Sequence, residues 1–194
     1  MVQMALQGEK KDLRQRILLQ LLSLTKDEIK RRSKDVEQKL SALSIYKQAK
    51  LIMAYYPLKG EVDILSMIRK DLSMKRFCFP VMDLKEKRLR IFEVLNLDRD
   101  FIPGPFGVQQ PDMLRTKEVD VRSIDMVIVP GLAFDYQKNR LGRGAGFYDR
   151  FFERTSSSIE KIGIAFRFQI LENLPTHPRS DKKVDKVVSE DICI

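Results

Sequence analysis

The sequence predicts an α/β fold: a single three-layer domain over residues 1–194, built on a mostly parallel central sheet with helices on both faces. Two short runs, residues 51–56 and 126–130, are too short for helices and apolar throughout, as strands buried on both faces are. Helical periodicities lie before, between and after them, and strands that alternate with helices call for crossover connections and a parallel sheet. A chain of 194 residues, 43% hydrophobic and 32% charged, suffices for one core, and no Pro-, Gly- or Ser-rich linker divides it.

The elements follow in order. Leu13, Ile17, Leu18, Leu21 and Leu22 recur at helical spacing, with Lys and Arg opposite, so residues 10–22 form a basic amphipathic helix. Thr25 and Glu28 have the spacing of a capping box and open a second helix through Ile29, Val36, Leu40 and Leu43. Residues 51–56 form a strand ended by Pro57, and Asp63 can cap a helix over 64–72. Strands over 76–82 and 89–94 are joined by a charged turn at 83–88. Residues 101–111, with prolines at 103, 105 and 111 and glycines at 104 and 107, are expected to be loop. The strand at 126–130 leads into a glycine-rich loop, a helix over about 147–155 and a strand at 161–166. The tail beyond Leu174 is irregular up to a possible edge strand at 186–189.

Composition excludes several classes. The longest apolar runs fall far short of the roughly 20 residues that cross a bilayer, and charges at 9–12 break any signal-like segment, so no membrane partner and a cytoplasmic location are expected. Cys78 and Cys193 belong to no Cys-x-x-Cys pair, which leaves no zinc site or disulfide framework; Cys78, between two phenylalanines, reads as a buried apolar residue. The net charge of +9 attracts polyanions such as nucleotides or nucleic acid, or merely keeps the chain in solution. No nucleic-acid-binding motif accompanies it. The single histidine, His177, has no Ser or Cys partner motif, so a catalytic triad is excluded.

Chemistry concentrates in Pro130-Gly131-Leu132-Ala133-Phe134-Asp135 and Asn139-Arg140-Leu141-Gly142-Arg143-Gly144-Ala145-Gly146-Phe147-Tyr148-Asp149, which hold four of the nine glycines. Alternating glycines before a helix can turn several backbone N–H groups toward one anion, and Arg140 and Arg143 can add charge-assisted bonds to phosphate oxygens. The alternative is a turn that needs positive φ, with solvated arginines. The spacing fits neither a Walker A loop nor a dinucleotide fingerprint. Asp149, in the first turn of the helix, can hold magnesium against phosphates or simply complement the helix dipole. Asp181 and Asp185 can add a ligand or belong to an exposed charged loop. Lys10, Lys11 and Arg14 fall within about one helical turn and can grip a polyphosphate or form a solvated face. Glu61, beyond the strand at 51–56, is placed to accept from an amino-bearing heterocycle or to cap a helix. Because ligands of open α/β sheets lie beyond the carboxyl ends of the strands, residues 56–61 and 131–149 are the expected site.

Taken together, Lys10-x-x-x-Arg14, Glu61 after an apolar strand, and the 130–135 and 139–149 segments resemble the 5-formyltetrahydrofolate cyclo-ligase family across nearly the whole chain. The resemblance implies ATP- and magnesium-dependent conversion of 5-formyltetrahydrofolate to 5,10-methenyltetrahydrofolate. It implies that Lys10, Lys11 and Arg14 bind ATP together with Arg140, Leu141, Gly142, Arg143, Gly144, Ala145, Gly146, Phe147 and Tyr148. Tyr56 and Glu61, with residues 143–147, would contact the folate. Arg143, Gly144 and Tyr148 would act in catalysis, and Asp149 and Asp181 would hold Mg²⁺. The chain departs from the family pattern at Ala145, often Lys or Gly, at Phe147, often Tyr, and at Ser180. The partners so implied are the two small molecules, with no nucleic acid, acting on a monomer. A second reading, a different phosphate-handling enzyme on the same scaffold, would need no ATP.

Overall fold

Alternation along the strands decides the layers. In β1 (Leu51–Met53) all three residues are buried, and in β7 (Met126–Pro130) the first four are, so each strand is covered from both sides. Ile52, Met126 and Ile128 pack into one apolar cluster, whereas Leu51, Met53, Val127 and Val129 pack into a second on the opposite face. The computed structural model describes residues 2–156, 158–177 and 180–194.

The first cluster is roofed by α1 (Val2–Ser23), α2 (Lys26–Ala42), α3 (Ser44–Gln48) and α4 (Leu65–Asp71). Leu13, Ile17 and Leu21, spaced four apart, form the buried stripe of α1. The helix begins eight residues before the expected position because residues 3–7 and Glu9 are good helix formers, and Gly8, whose missing Cβ faces open space, does not break it. Both halves of the capping box form: Thr25 Oγ1 accepts from the Glu28 N–H at 3.2 Å, and Glu28 Oε2 accepts from the Thr25 N–H at 2.9 Å. Asp63 accepts from the Leu65 N–H at 3.0 Å at the start of α4. Truncating a fully buried residue under this roof, such as Ile52 to Ala, costs about 2–5 kcal/mol.

The sheet continues with β2 (Arg76–Asp83) and β3 (Arg88–Val94), an antiparallel hairpin across the expected charged turn. Next come β4 (Phe101–Pro103) and β5 (Gln109–Pro111), then the short β6 (Lys117–Glu118) against β3. The 101–111 segment is therefore not simply a loop. It forms a two-stranded ribbon with Phe101 opposite Pro111, and its prolines are tolerated because the ribbon stands apart from the main ladder. After β7 come β8 (Ala133–Asp135), β9 (Arg140–Leu141), α5 (Phe147–Phe152), β10 (Glu160–Ile164), β11 (Ile170–Leu171) and β12 (Lys186–Val188). α5 ends about one turn earlier than expected, and the glycine-rich segment contains a β8–β9 hairpin that its glycines and charges concealed.

The main sheet has the order β12-β10-β7-β1-β2-β3-β6, parallel from β12 to β2 and antiparallel beyond. β12 is the expected edge strand. The order reverses at β1, since the chain moves to β2 on one side and later returns to β7 on the other. That switch point opens a crevice beyond the ends of β1 and β7. α5, with Phe151 and Phe152, covers the second face. Cys78 is buried there, its thiol ionisation pushed up by desolvation, as its neighbours led us to expect. Among the described residues no helix is long and apolar enough to cross a membrane.

Candidate active site

A cavity of about 690 Å³ fills the crevice at the switch point, a volume typical of small-molecule sites. Its walls include Tyr55, Tyr56, Leu58 and Glu61 after β1, Pro130 and Gly131 after β7, all of residues 140–149, Lys10 and Arg14 from α1, and Asp181. The residues that the family resemblance assigned to the site thus line one cavity, except Lys11; Asp185, the other acid considered beside Asp181, lies outside it and pairs with Lys161. Lys10 and Arg14 are four apart and share a helix face, whereas Lys11 is turned about 100° away and is exposed.

Three ion pairs connect the walls. Arg143 donates from Nε and Nη2 to Glu61 Oε1 at 3.1 and 2.8 Å, and Glu61 Oε2 accepts from the Leu58 N–H at 2.9 Å. Arg140, nearly buried, donates from Nη2 to Asp149 Oδ1 at 3.1 Å, with its guanidinium 5.3 Å from the Tyr148 ring centroid. Lys10 pairs with Asp181 Oδ2, which also accepts from the His177 N–H at 2.7 Å. Asp149 Oδ1 also accepts from the Lys182 N–H at 3.3 Å, so the residue after Asp181 bridges the two acids.

The glycine loop owes its shape to two kinds of constraint. Gly144 and Gly146 have φ of +108° and +68°, where a side chain is strained, and Gly146 precedes the first turn of α5. Arg14 Nε donates to the Gly142 carbonyl at 2.9 Å, tying the loop to α1. Beneath it, the fully buried Asp135 accepts from the Gln137, Asn139 and Leu174 N–H groups and from Asn139 Nδ2, all at 2.8–3.0 Å. Asp135 and Asn139 therefore hold the hairpin that presents the loop and do not face the cavity.

Tyr148 stands out chemically. Its hydroxyl is buried on the cavity wall with no hydrogen-bond partner among the described residues. Burial pushes its ionisation well above the usual phenol range, Arg140 pulls it back in part and Glu61 adds to the rise, so the group stays protonated.

The sequence did not single out the apolar wall of Phe79, Pro80, Met82, Leu89 and Val108, nor Gln109, Arg150 and Glu153. Where strands are buried on both faces, their alternation marks no side as a ligand wall. Phe106, an aromatic within the expected loop, joins this wall and is exposed at φ 58° at the tip of the β4–β5 ribbon.

The geometry has counterparts among known proteins. Residues 6–190 match the sequence profile described as the 5-formyltetrahydrofolate cyclo-ligase family. A mouse 5-formyltetrahydrofolate cyclo-ligase is 27% identical over 98% of each chain, and one from Mycoplasma genitalium is 30% identical over 84% of this chain and 88% of its own. The NMR structure of the Aquifex aeolicus 5,10-methenyltetrahydrofolate synthetase is similar with a TM-score of 0.83 and 32% identity, covering 95% of this chain and 91% of the other. The structure of a 5,10-methenyltetrahydrofolate synthetase from Mycoplasma pneumoniae is similar with a TM-score of 0.77 and 25% identity, covering 94% of this chain and 99% of the other. With the profile covering almost its entire length and the predicted site gathered into one cavity, the chain belongs to the 5-formyltetrahydrofolate cyclo-ligase family of enzymes.

Proposed function

We propose that the chain converts 5-formyltetrahydrofolate to 5,10-methenyltetrahydrofolate with ATP as co-substrate and magnesium as the metal, releasing ADP and phosphate. The observation that carries this reading is the set of three cation–acid pairs crossing one cavity of about 690 Å³, beside an apolar wall. Lys10, Arg14, Arg140 and Arg143 supply charge for a polyphosphate, and Glu61 and Tyr56 meet the pterin. Each pair keeps its charges satisfied until the substrates replace the partners.

The formyl oxygen attacks the γ-phosphorus, the bond to ADP breaks, and an imidate phosphate forms. N10 then attacks the activated carbon, the carbon–oxygen bond breaks to release phosphate, and N10 loses its proton as the methenyl bridge forms. The protein positions the two substrates and neutralises charge on the transferring group, with Arg143 and the N–H groups of residues 144–147 on the phosphoryl side. Tyr148, kept protonated, offers a hydroxyl donor at the same wall.

Magnesium takes one or two protein carboxylates together with substrate phosphates and keeps several waters. Asp149 and Asp181, bridged by Lys182, match that donor set. No group of three or more His, Cys, Asp or Glu able to hold an ion alone occurs among the described residues. Bound there, the ion would neutralise phosphate charge.

The test is methenyltetrahydrofolate formation from 5-formyltetrahydrofolate, with ATP and magnesium omitted in turn. Product is expected only when both are present. Turnover without ATP overturns the reading.

A further inference from the structure

Arg150 lies one turn into α5, outside every motif noted in the sequence, yet its guanidinium joins two segments far apart in the chain. Nε donates to the Lys87 carbonyl at 2.6 Å, at the end of the β2–β3 turn. Nη2 donates to the Ala145 carbonyl at 2.9 Å, in the glycine loop. The same group lies 5.2 Å from the Phe147 ring centroid. A Cβ on Gly146 would stand 2.7 Å from Nη1, the movable end of the Arg150 side chain, so it is φ of +68° that calls for glycine there. Lys87 itself has φ 50°, a region that non-glycine residues seldom adopt and that persists where surrounding contacts over-determine it.

We propose that Arg150 is a positioning residue: it clasps the glycine loop to the β2–β3 turn and holds residues 144–146 in the geometry that receives phosphate. Arg150, Ala145, Gly146 and Phe147 line the cavity beside Met82 and Leu89, which flank that turn, so the clasp sits where the loop meets the apolar wall. A guanidinium is suited to the task because its rigid fork aims two N–H donors in fixed directions, whereas an ammonium on a flexible stem gives up more freedom to hold two carbonyls. The consequence for ATP rests on the proposed function; the clasp itself does not.

Arg150→Ala and Arg150→Lys test it, each compared with the unaltered protein. Hydrogen exchange without substrates is expected to quicken in Arg150→Ala at both residues 84–88 and residues 144–147, although about 60 positions separate them. Faster exchange at only one segment, or at neither, overturns the clasp whatever the enzyme does. In steady-state assays KM for ATP is expected to rise roughly ten- to a hundredfold, the range for losing bonds from a charged donor, while KM for the folate changes less than about threefold. Arg150→Lys keeps the charge and loses the fork, so it should resemble Arg150→Ala. Full rescue by Lys would show that charge alone matters and would overturn the proposal. If the unaltered protein has no ATP-dependent turnover, the functional reading fails, and the exchange experiment still decides the clasp.

Discussion

Arg143 and Glu61 lie 82 residues apart, and both donors of the arginine converge on one carboxylate oxygen, at 3.1 and 2.8 Å. Glu61 is nearly buried, whereas Arg143 is partly exposed. The acid is thus a fixed element of the wall and the arginine its movable partner. Glu61 is held by the Leu58 N–H after β1, while Arg143 sits on a loop between positive-φ glycines and the β9 strand.

Glu61→Gln keeps the shape and removes the charge. A bond to a charged acceptor contributes about 1.5–3 kcal/mol, so kcat/KM for the folate should fall roughly ten- to a hundredfold. KM for ATP should change much less. Steady-state kinetics with each substrate varied in turn measures both, and unchanged folate kinetics would remove Glu61 from the site.

Gly144→Val acts through the backbone. A Cβ at this position would meet nothing closer than 3.6 Å, the Arg14 guanidinium, so crowding is not the obstacle; φ of +108° is. The β-branched residue should pull the loop out of its present shape at a cost of about 1–3 kcal/mol in stability. Losing one preorganised donor at developing charge typically costs about 10² to 10³ in rate, and turnover should fall at least that far. Retained ATP-dependent cyclisation in the purified variant would mark the segment as a structural turn.

Tyr148→Phe separates function from folding, because the hydroxyl has no partner to lose among the described residues. Removing a buried unpaired polar group should leave Tm unchanged or raise it. If the hydroxyl donates to a substrate, kcat/KM should fall about tenfold, on the basis of about 1.5 kcal/mol for one hydrogen bond. A loss of Tm without a loss of activity would contradict both statements.

Asp100 governs an acid-sensitive joint at the base of the β4–β5 ribbon. Burial raises its pKa, but the bonds from Arg99 Nε at 3.0 Å and from the Leu95 and Asn96 N–H groups at 3.0 and 2.9 Å outweigh burial and hold it below the usual carboxylate range. A depressed folded pKa contributes stability that is complete above the unfolded value and is lost as pH falls through the folded one. Asp100→Asn should therefore lower stability at neutral pH by about 1–3 kcal/mol. The gap in Tm from the unaltered protein should narrow as the pH is taken below the ordinary aspartate range, and a gap that stays constant would exclude this origin.

The local features were legible because each is written in neighbouring residues. The Thr25–Glu28 cap, the apolar run at Met126–Pro130 and the β2–β3 hairpin all formed as the spacing predicted. The ribbon at Phe101–Pro111 was not legible, since its glycines and prolines signal a turn wherever they stand, and only Phe101 packing edge-on against Tyr56 and Phe79 reveals what the segment covers.

By itself the sequence determined the α/β class, the strands beyond which a ligand would lie, and the residue types fit for phosphate, through periodicity and through the special backbone freedom of glycine. Tertiary structure alone decided which of those residues meet. It turned Lys10 and Arg14 into the cavity and left Lys11 outside, set Glu61 against Arg143, Lys10 against Asp181 and Arg140 against Asp149, and closed Arg150 onto Lys87. The physical reason is that periodicity reports only the face a residue takes on its own helix or strand. Partners tens of residues apart are chosen by the sheet order and its reversal at β1, which arise from packing the whole chain and leave no mark on any local stretch.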